Sequence, residues 1–457
     1  MELLTTGLAL ALPILLGGVW LGRWFPTHQI ALVWGNGALV GLLLVPLMMR
    51  LQVSLGLPLS FAITAPICSL LIVLGGLLWW RADRRNPPSP ANDALQSAGS
   101  RLLFGLLLAM IALRLGTLSL EVIWRPLFPW DATMHWATKS RVWFEARDIV
   151  PFVTNQQWLE TGDSNVFTDR HPEYPPTIPL LQVWMNLALG RWSESLMNLP
   201  WLVCLAGLGA AFYGQLRAAA VQPVVAMAFC YFLLSMPLLN IHVALAGYAD
   251  LFVAASYCGA LMALHNWSQR REHGQLALML LFAILCATIK AEGLVWAATL
   301  IPAVAVFLTP VKHLLKLAVA LVLGATLGLL VSDRWDIGIG GYSWGNTQIT
   351  VEAESLVGIA RSTWLYDNWH LLAYLLLLLL PVCLLKPAML RNFVALGSAL
   401  AVAVGLFLFL FLFTGFGAGN QLYAAVSRLS LHLVPGLLFL AALLYHQLLE
   451  EQHPPRD

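Results

Sequence analysis

Residues 4–22 of the chain read LTTGLALALPILLGGVWLG, and this stretch contains no charged side chain. A helix needs about 20 mostly apolar residues to cross the hydrocarbon core of a bilayer, so the stretch is long enough to span a membrane. It is not preceded by the basic region of a secretory signal peptide, and more apolar stretches follow it. We therefore predict a retained transmembrane helix here.

The rest of the chain has the same apolar character. Of its 457 residues, 59% are hydrophobic and only 11% are charged, and no water-soluble chain of this length can bury so much apolar surface. A soluble enzyme, a nucleic-acid-binding protein and a disordered scaffold are therefore excluded. The 25 basic and 23 acidic residues give a net charge of +2, which is too small to indicate an electrostatic partner such as a nucleic acid.

Apolar stretches of similar length recur along the chain. We predict an all-α polytopic membrane protein with about thirteen transmembrane helices and a long first outer segment that carries amphipathic or interfacial helices. The predicted spans lie near residues 4–22, 29–49, 57–80, 101–121, 195–214, 222–240, 248–266, 275–289, 293–309, 314–332, 369–385, 393–417 and 429–448.

Basic residues in short loops predict the orientation of these helices, because such loops tend to stay in the cytoplasm. The Pro-, Ser- and Asn-rich linker at residues 81–100 contains Arg81 and Arg85, and we place it in the cytoplasm. Alternating from there, the N-terminus faces outward and the tail at residues 449–457 faces inward. This arrangement requires that residues 176–190, which are short for a span, form an interfacial or re-entrant helix.

The linker separates three N-terminal helices, at residues 1–80, from the main transmembrane core at residues 101–448. Three segments of that core are predicted on the outer side, and they cover residues 122–194, 333–368 and 415–428. Eight of the chain's 19 tryptophans lie in or beside the first of these segments, from Trp124 to Trp201. Because tryptophan prefers the headgroup level, we expect that segment to lie on the membrane surface.

The first segment contains FPWDATMHWATKSRVWF at residues 128–144. On a regular helix Asp131, His135 and Lys139 are four residues apart and share one face, whereas Trp136 and Trp143 lie on another face that suits the bilayer. Asp131 is then either a carboxylate that accepts a proton at the water–lipid boundary or a helix N-cap.

The same segment contains DRHPEYPPTIPLL at residues 169–181, where three prolines close together stiffen the chain. They hold His171, Glu173 and Tyr174 in a defined place. Glu173 can serve acid–base chemistry or share a divalent cation, Mg²⁺ or Mn²⁺, with Asp131. The alternative is a solvated glutamate beside its arginine, Arg170.

Charged side chains also interrupt the apolar core in three places. Asp250 stands at the outer end of a span, where it needs a partner or water. Lys290 and Glu292 lie between two short apolar helices, where they either line a cavity or pair with each other. Arg428 at the outer rim, with His432 one turn deeper, either grips a phosphate bidentately or anchors the helix at the interface.

Four of these motifs, in this order and on one side of the membrane, resemble those of GT-C glycosyltransferases. The motifs are WDA at Trp130–Ala132, HPEYP at His171–Pro175, GYAD at Gly247–Asp250 and KAEG at Lys290–Gly293. The chain is most similar to the branch of protein O-mannosyltransferases and lipid A aminoarabinose transferases. The resemblance covers most of residues 101–435, whereas the three helices before residue 81 depart from the usual arrangement.

The resemblance implies a GT-C-like helical bundle that transfers a sugar, with inversion, from a polyprenyl-phosphate-linked donor to a lipid, glycan or protein acceptor. It implies an active site on the periplasmic face of a bacterial inner membrane, with membrane lipids as further partners. Asp131 is then the general base, with Glu173 as the second catalytic carboxylate. Arg428 is then the residue that binds the donor phosphate, with Lys139, Arg141 and Lys290 as weaker candidates. The sugar and acceptor pocket contains His135, His171, Tyr174, Tyr248, Asp250, Glu292 and His432.

Three other classes stay open from the sequence. The first is an oligosaccharyltransferase that moves a preassembled glycan. The second is a transporter or flippase for a lipid-linked sugar, which is expected to carry its ionisable residues near the middle of the membrane. The third is the group of O-antigen ligases and polymerases, in which the main outer segment comes late in the chain.

Overall fold

The computed structural model describes residues 2–26, 28–83, 97–162, 166–320, 323–324, 351–386, 390–414 and 422–452. Most of these residues are helical, which confirms the all-α prediction, and the strands found among them are one parallel pair, β1 (Phe152–Val153) and β2 (Phe167–Thr168). The α-helices are α1 (Glu2–Leu21), α2 (Ile30–Ser54), α3 (Phe61–Asp83), α4 (Ala98–Trp124), α5 (Thr138–Ala146), α6 (Asn155–Thr161), α7 (Thr177–Leu189), α8 (Leu199–Ala218), α9 (Pro223–Ser235), α10 (Pro237–Ala244), α11 (Asp250–Arg270), α12 (His273–Ala287), α13 (Ala291–Ala298), α14 (Leu300–Leu308), α15 (Ala353–Ala360), α16 (Leu372–Leu384), α17 (Val394–Phe413) and α18 (Leu422–Gln452).

Within these ranges, eight helical segments are long and apolar enough to cross a membrane, or nine if the bent pair α9 and α10 forms one span. The chain is therefore a multi-pass membrane protein, as predicted. The expected total of about thirteen also counts α11, the shorter helices α12 and α16, and a span at 314–332 that lies largely outside the described residues. That total stays a prediction.

Several boundaries differ from those expected. The predicted span at 222–240 is broken into α9 and α10, which meet at an angle of 56°, because Pro237 has no N–H to continue the hydrogen-bond ladder. The last helix begins at Leu422 rather than near 429. Arg428 consequently lies inside a helix and not at its start.

The short helix α7 is enclosed by protein along its whole length. All thirteen of its residues are buried, and Trp184 Nε1 donates a hydrogen bond to the carbonyl of Ala9 in α1. A surface helix would leave one face exposed, so α7 is packed inside the bundle, and its re-entrant or interfacial position in the membrane stays a prediction. Such short helices are tolerated inside a membrane protein where other helices surround them.

The N-terminal helices pack closely on each other and on the core. A Cβ built on Gly17 of α1 would lie 1.8 Å from the carbonyl oxygen of Gly37 in α2, and one built on Gly35 would lie 2.2 Å from the backbone nitrogen of Ala211 in α8. Glycine permits this approach because it has no side chain. Helices α1 and α2 are thus part of the same packed bundle as α8.

We predict that Gly17→Ala destabilises the protein, because the added methyl group forces α1 and α2 apart. The expected cost is about 1–3 kcal/mol, measured by thermal unfolding of the purified protein in detergent. Gly7→Ala is the matched control on the same helix, because no atom lies within 4 Å of its Cβ position. Equal stability of the two variants would contradict the close packing.

Candidate functional site

The segment that begins with Asp131 does not continue as a regular α-helix. Residues Ala132–Ala137 wind as a π-helix before α5 begins. A π-helix closes its hydrogen bonds between residues i and i+5, so it changes which side chains share a face. The sequence places Asp131, His135 and Lys139 on one face, but only His135 and Lys139 share a partner, Asp169. Asp131 has a different set of neighbours from His135 and Lys139.

Asp131 forms an ion pair with Arg428, which follows 297 positions later in α18. Arg428 Nη1 lies 2.5 Å from Asp131 Oδ2, and the Arg428 and Asp131 side chains are 25% and 28% exposed, respectively. The Asp131 side chain makes no capping hydrogen bond to the backbone, so it is not an N-cap. Arg428 is not an isolated interface anchor either, because its Nε and Nη2 lie 3.2 and 3.0 Å from Asp250 Oδ2.

Asp250, the first residue of α11, has no exposed surface and is surrounded by hydrogen-bond donors. Arg428 binds its Oδ2, while Lys290 Nζ and His432 Nε2 lie 3.4 and 3.1 Å from its Oδ1. Trp296 Nε1 donates to His432 Nδ1 at 2.9 Å, which leaves the ring hydrogen on Nε2, directed at Asp250. A buried carboxylate is costly without such partners.

Lys290 joins this buried carboxylate to a second one. Its Nζ lies 2.8 Å from Glu292 Oε1, so Lys290 pairs with Glu292 as well as with Asp250. Glu292 Oε2 is buried and has no hydrogen-bond partner in the described part of the chain. Thr177 Oγ1, at the end of the proline-rich segment, donates a hydrogen bond at 2.6 Å to the carbonyl of Thr288, two residues before Lys290. The proline-rich segment thus approaches the group around Asp250.

The GYAD turn packs directly against the WDA motif. Gly247 has a φ of 118°, and a Cβ there would lie 2.5 Å from the Cβ of Ala132. L-residues with a side chain rarely adopt such a φ. The next residue, Tyr248, places its ring 4.8 Å from the Arg428 guanidinium. A cation over an aromatic face is attracted to it, and this contact helps to fix the position of Arg428.

A second charged group surrounds Asp169, which is not among the predicted site residues. His135 Nδ1 lies 2.5 Å from Asp169 Oδ1, and Lys139 Nζ lies 2.9 Å from Oδ2. Lys139 also donates to the carbonyl of His171 at 2.5 Å. All four groups belong to the π-helix, α5 and the DRHPEYPP turn, so Asp169 binds these two motifs together.

Burial and ion pairing act in opposite directions on this group. Burial alone would raise the pKa of Asp169, but the hydrogen bonds from His135 and Lys139 outweigh it and lower the pKa to about 2. Burial lowers the pKa of the Lys139 ammonium, and the Asp169 carboxylate offsets part of that effect. Lys139 is only 1% exposed, so it is not available to a substrate phosphate.

Aromatic rings form a layer beside these charges. The Tyr174 ring stacks on His171 at 4.7 Å and on Trp136 at 4.8 Å. Trp136 and Trp143 are 1% and 4% exposed, so the expectation that both face the bilayer is wrong. His171 and Tyr174 keep part of their surface exposed, whereas Trp136 is buried behind Tyr174.

Two of the predicted roles find no support in the arrangement. Arg141 is half exposed, pairs with Glu145 and lies over the ring of Trp192. Glu173 contacts His171 at 3.1 Å rather than Asp131. No three His, Cys, Asp or Glu side chains of the described residues are arranged to hold a metal ion. The cation site shared by Asp131 and Glu173 that the sequence suggested stays a prediction.

Comparisons of the chain with protein-family models, with curated proteins and with solved structures found no match. Of the predicted residues, the structure brings together Asp131, Tyr248, Asp250, Lys290, Glu292, Arg428 and His432, with His135, Lys139, His171, Glu173 and Tyr174 in the adjoining layer.

We predict a pH-dependent contribution of Asp169 to stability. Its pKa falls from the ordinary value of 3.8 to about 2 on folding, so its ion pairs stabilise the fold above about pH 4, and this contribution disappears as the pH falls towards 2. The expected size is roughly 2 kcal/mol. In detergent, Asp169→Asn should lower the melting temperature at pH 6, and the difference from wild type should shrink at low pH.

The control is Asp148→Asn, an exposed carboxylate in the same segment. We expect it to change stability by no more than about 0.5 kcal/mol at either pH. A difference between wild type and Asp169→Asn that stays constant from pH 6 to the lowest accessible pH would contradict the ion-pair interpretation.

Proposed function

We propose that the protein is a membrane glycosyltransferase of the GT-C type, which transfers a sugar from a polyprenyl-phosphate-linked donor to a lipid, glycan or protein acceptor. The observation that carries the proposal is the contact of Arg428 with both Asp131 and Asp250. A partly accessible carboxylate and a partly accessible guanidinium stand side by side. Transfer from a lipid phosphate needs both, a base for the acceptor and a cation for the departing phosphate.

The pairing of Asp131 with Arg428 suggests how donor binding prepares the site. The donor phosphate competes with Asp131 for Arg428, because a guanidinium binds phosphate in the same bidentate manner as carboxylate. Asp131 is then released next to the bond that breaks. Asp250 keeps Arg428 in place during this exchange, since it holds the Nε and Nη2 atoms while Asp131 holds Nη1.

The reaction is a single displacement at the anomeric carbon. The acceptor oxygen or nitrogen attacks that carbon from the face opposite the phosphate, its proton passes to Asp131, and the carbon–oxygen bond to the phosphate breaks. The electron pair leaves with the polyprenyl phosphate, whose charge Arg428 stabilises. The configuration at the sugar is therefore inverted. The good leaving group needs no strong general acid.

The groups around the pair suit the sugar. Glu292 Oε2 is a buried acceptor without a protein partner in the described residues, and sugar hydroxyls are donors. His171 and Tyr174 supply stacked rings next to the Asp169 group. We place the active site on the periplasmic face of a bacterial inner membrane, in accordance with the positive-inside rule.

A transporter or flippase for a lipid-linked sugar is the second candidate. It is favoured by the burial of Asp250 and His432, neither of which has exposed side-chain surface, because coupled transporters keep ionisable residues inside the membrane. Asp250 and Lys290, however, stand at the starts of α11 and α13 rather than in the middle of a span. This position agrees better with a site at one end of the bundle.

We predict that Asp131→Asn abolishes transfer, with a loss of at least about 100-fold, because the amide cannot accept the acceptor proton. The measurement is mass spectrometry of outer-face glycoconjugates from cells with and without each variant, and it does not require the sugar or the acceptor to be identified first. Asp148→Asn is the matched control. Retention of more than about a tenth of wild-type transfer in Asp131→Asn would remove Asp131 as the base, and unchanged glycoconjugates on loss of the wild-type protein would contradict the proposed transfer.

We predict that Arg428→Lys weakens donor binding about 10-fold and Arg428→Ala more strongly, since both lose the bidentate contact and only lysine keeps the charge. Binding is measured with a polyprenyl phosphate by native mass spectrometry, and melting temperatures confirm that the variants fold. The control is Arg361→Ala, which removes an exposed arginine that contacts Tyr423 of α18. Unchanged affinity in both Arg428 variants would rule out the phosphate role.

A further inference from the structure

A long groove runs along the outside of α4, on the side that faces α9 and α10. One part, a cavity of about 730 Å³, lies between α4 and α10. Its α4 wall carries Arg114, Thr117, Glu121 and Arg125, at positions i, i+3, i+7 and i+11, which form one stripe of the helix. A second cavity of about 730 Å³ shares Arg114 and Thr117 and continues towards Met110.

The two ends of the groove differ in chemistry. The end near Arg125 is polar and includes the ion pair between Arg125 and Glu121, at 2.7 Å. The other end is lined by apolar and aromatic side chains, with Arg114 and His370 as its ionisable members. The apolar and aromatic residues there are Met110, Leu113, Tyr231, Phe232 and Leu371. The groove therefore offers a charged position and a hydrocarbon surface next to each other.

Arg114 is the unusual residue of this groove. It is exposed on a helix that is long enough to span the membrane, and it lies seven residues, or about 10 Å, deeper along the axis than Glu121. A cation at this depth is costly unless something balances its charge. Among the described residues no carboxylate lies within ion-pair distance of Arg114. The one acidic residue that lines the groove, Glu121, is paired with Arg125 instead.

Arg114 contributes little to holding the bend between α9 and α10. Arg114 Nη2 lies 3.4 Å from the carbonyl oxygen of Ser235, the last residue of α9. That oxygen already accepts a shorter hydrogen bond, of 2.9 Å, from His370 Nε2. The bend is thus secured by His370, and Arg114 is left to interact with an occupant of the groove that it lines.

We propose that this groove is a binding site for the polyprenyl phosphate carrier, with the phosphate on Arg114 and the prenyl chain along the apolar end. The guanidinium suits a phosphate because it donates two parallel hydrogen bonds, and the groove has a net positive charge that an anionic lipid balances. The identity of the lipid as the carrier rests on the proposed function. The affinity for a lipid phosphate does not.

The position of the groove links it to the catalytic group. Helix α10 separates the two, with Asn240, Ile241 and Ala244 on the groove side and His242 buried, where its ring lies 5.3 Å from that of Tyr248. Since α10 has eight residues, it is only about 12 Å long. A phosphate that leaves the groove passes the end of this short helix to reach Arg428 beside Tyr248.

The large apolar cavity elsewhere in the bundle is less suitable. It has a volume of about 620 Å³, lies among α15, α16, α17 and α18, and has no charged residue in its lining. On α18 it contacts Ser430, Leu433 and Leu437, which lie on a different face from Arg428 and His432. It offers a chain-binding surface without a position for the phosphate.

The test measures binding of undecaprenyl phosphate to the full-length protein in detergent by native mass spectrometry. The test variant is Arg114→Gln, which keeps a donor for the Ser235 carbonyl but loses the charge, and Arg114→Lys is the second variant. Arg101→Gln, at the other end of α4, is the matched control. Because Arg428 is a second position for the phosphate, we expect wild type and Arg101→Gln to bind two lipid molecules. We expect Arg114→Gln to bind one of the two at least about 10-fold more weakly and Arg114→Lys to lose less, all with wild-type melting temperatures.

Competition identifies the ligand. Undecaprenol without the phosphate, dioleoyl phosphatidylglycerol and inorganic phosphate should each displace undecaprenyl phosphate poorly. Wild-type affinity in Arg114→Gln would overturn the site, and equally good displacement by phosphatidylglycerol or by inorganic phosphate would overturn the carrier as its occupant. A loss of affinity in Arg114→Gln together with full transfer by Asp131→Asn would keep the groove and reject the proposed chemistry, so the two failures are distinguishable.

Discussion

The arrangement of the site depends on one buried carboxylate, Asp250. It has no exposed surface and begins α11 among the spanning helices, where an uncompensated charge would cost several kcal/mol. Arg428 from α18, Lys290 at the start of α13 and His432 supply the compensation. Because these partners come from distant parts of the chain, the requirement to neutralise Asp250 also brings together the ends of the helices that carry them.

Asp131 belongs to the accessible layer beside this buried one. It contacts one nitrogen of an arginine that Asp250 already holds, so a ligand can replace Asp131 without exposing a charge in the interior. The Asp169 group is a separate support. It ties the π-helix to the proline-rich turn through His135 and Lys139, and so fixes the position of the segment that follows Asp131. Asp250 and Asp169 thus serve as structural anchors, and Asp131 is the partly accessible carboxylate of the site.

Much of this arrangement is readable from the sequence. Membrane spans follow from apolar length alone, and the residues of the WDA, GYAD and KAEG motifs do meet around Asp250 and Arg428, because buried charges must find opposite charges. Asp169 is hard to predict because an aspartate beside an arginine on a loop has the pattern of a solvated pair. The π-helical winding after Asp131 is not predictable either, since it arises from packing and not from side-chain periodicity. The predicted bilayer-facing position of Trp136 and Trp143 is wrong because an amphipathic ring suits both a headgroup region and a protein interior.

The few charged side chains of the helices lie in an apolar environment. In an apolar environment each ionised group needs a partner, and the structure supplies one to Asp250, Lys290 and Arg428 from within the protein. Arg114 differs, because no carboxylate of the described residues balances it and it is exposed on its helix. The partner that we propose for this residue is a lipid of the membrane. In the proposed site a lipid phosphate pairs with Arg114 while its chain stays in hydrocarbon, and α10 lies between this position and Arg428.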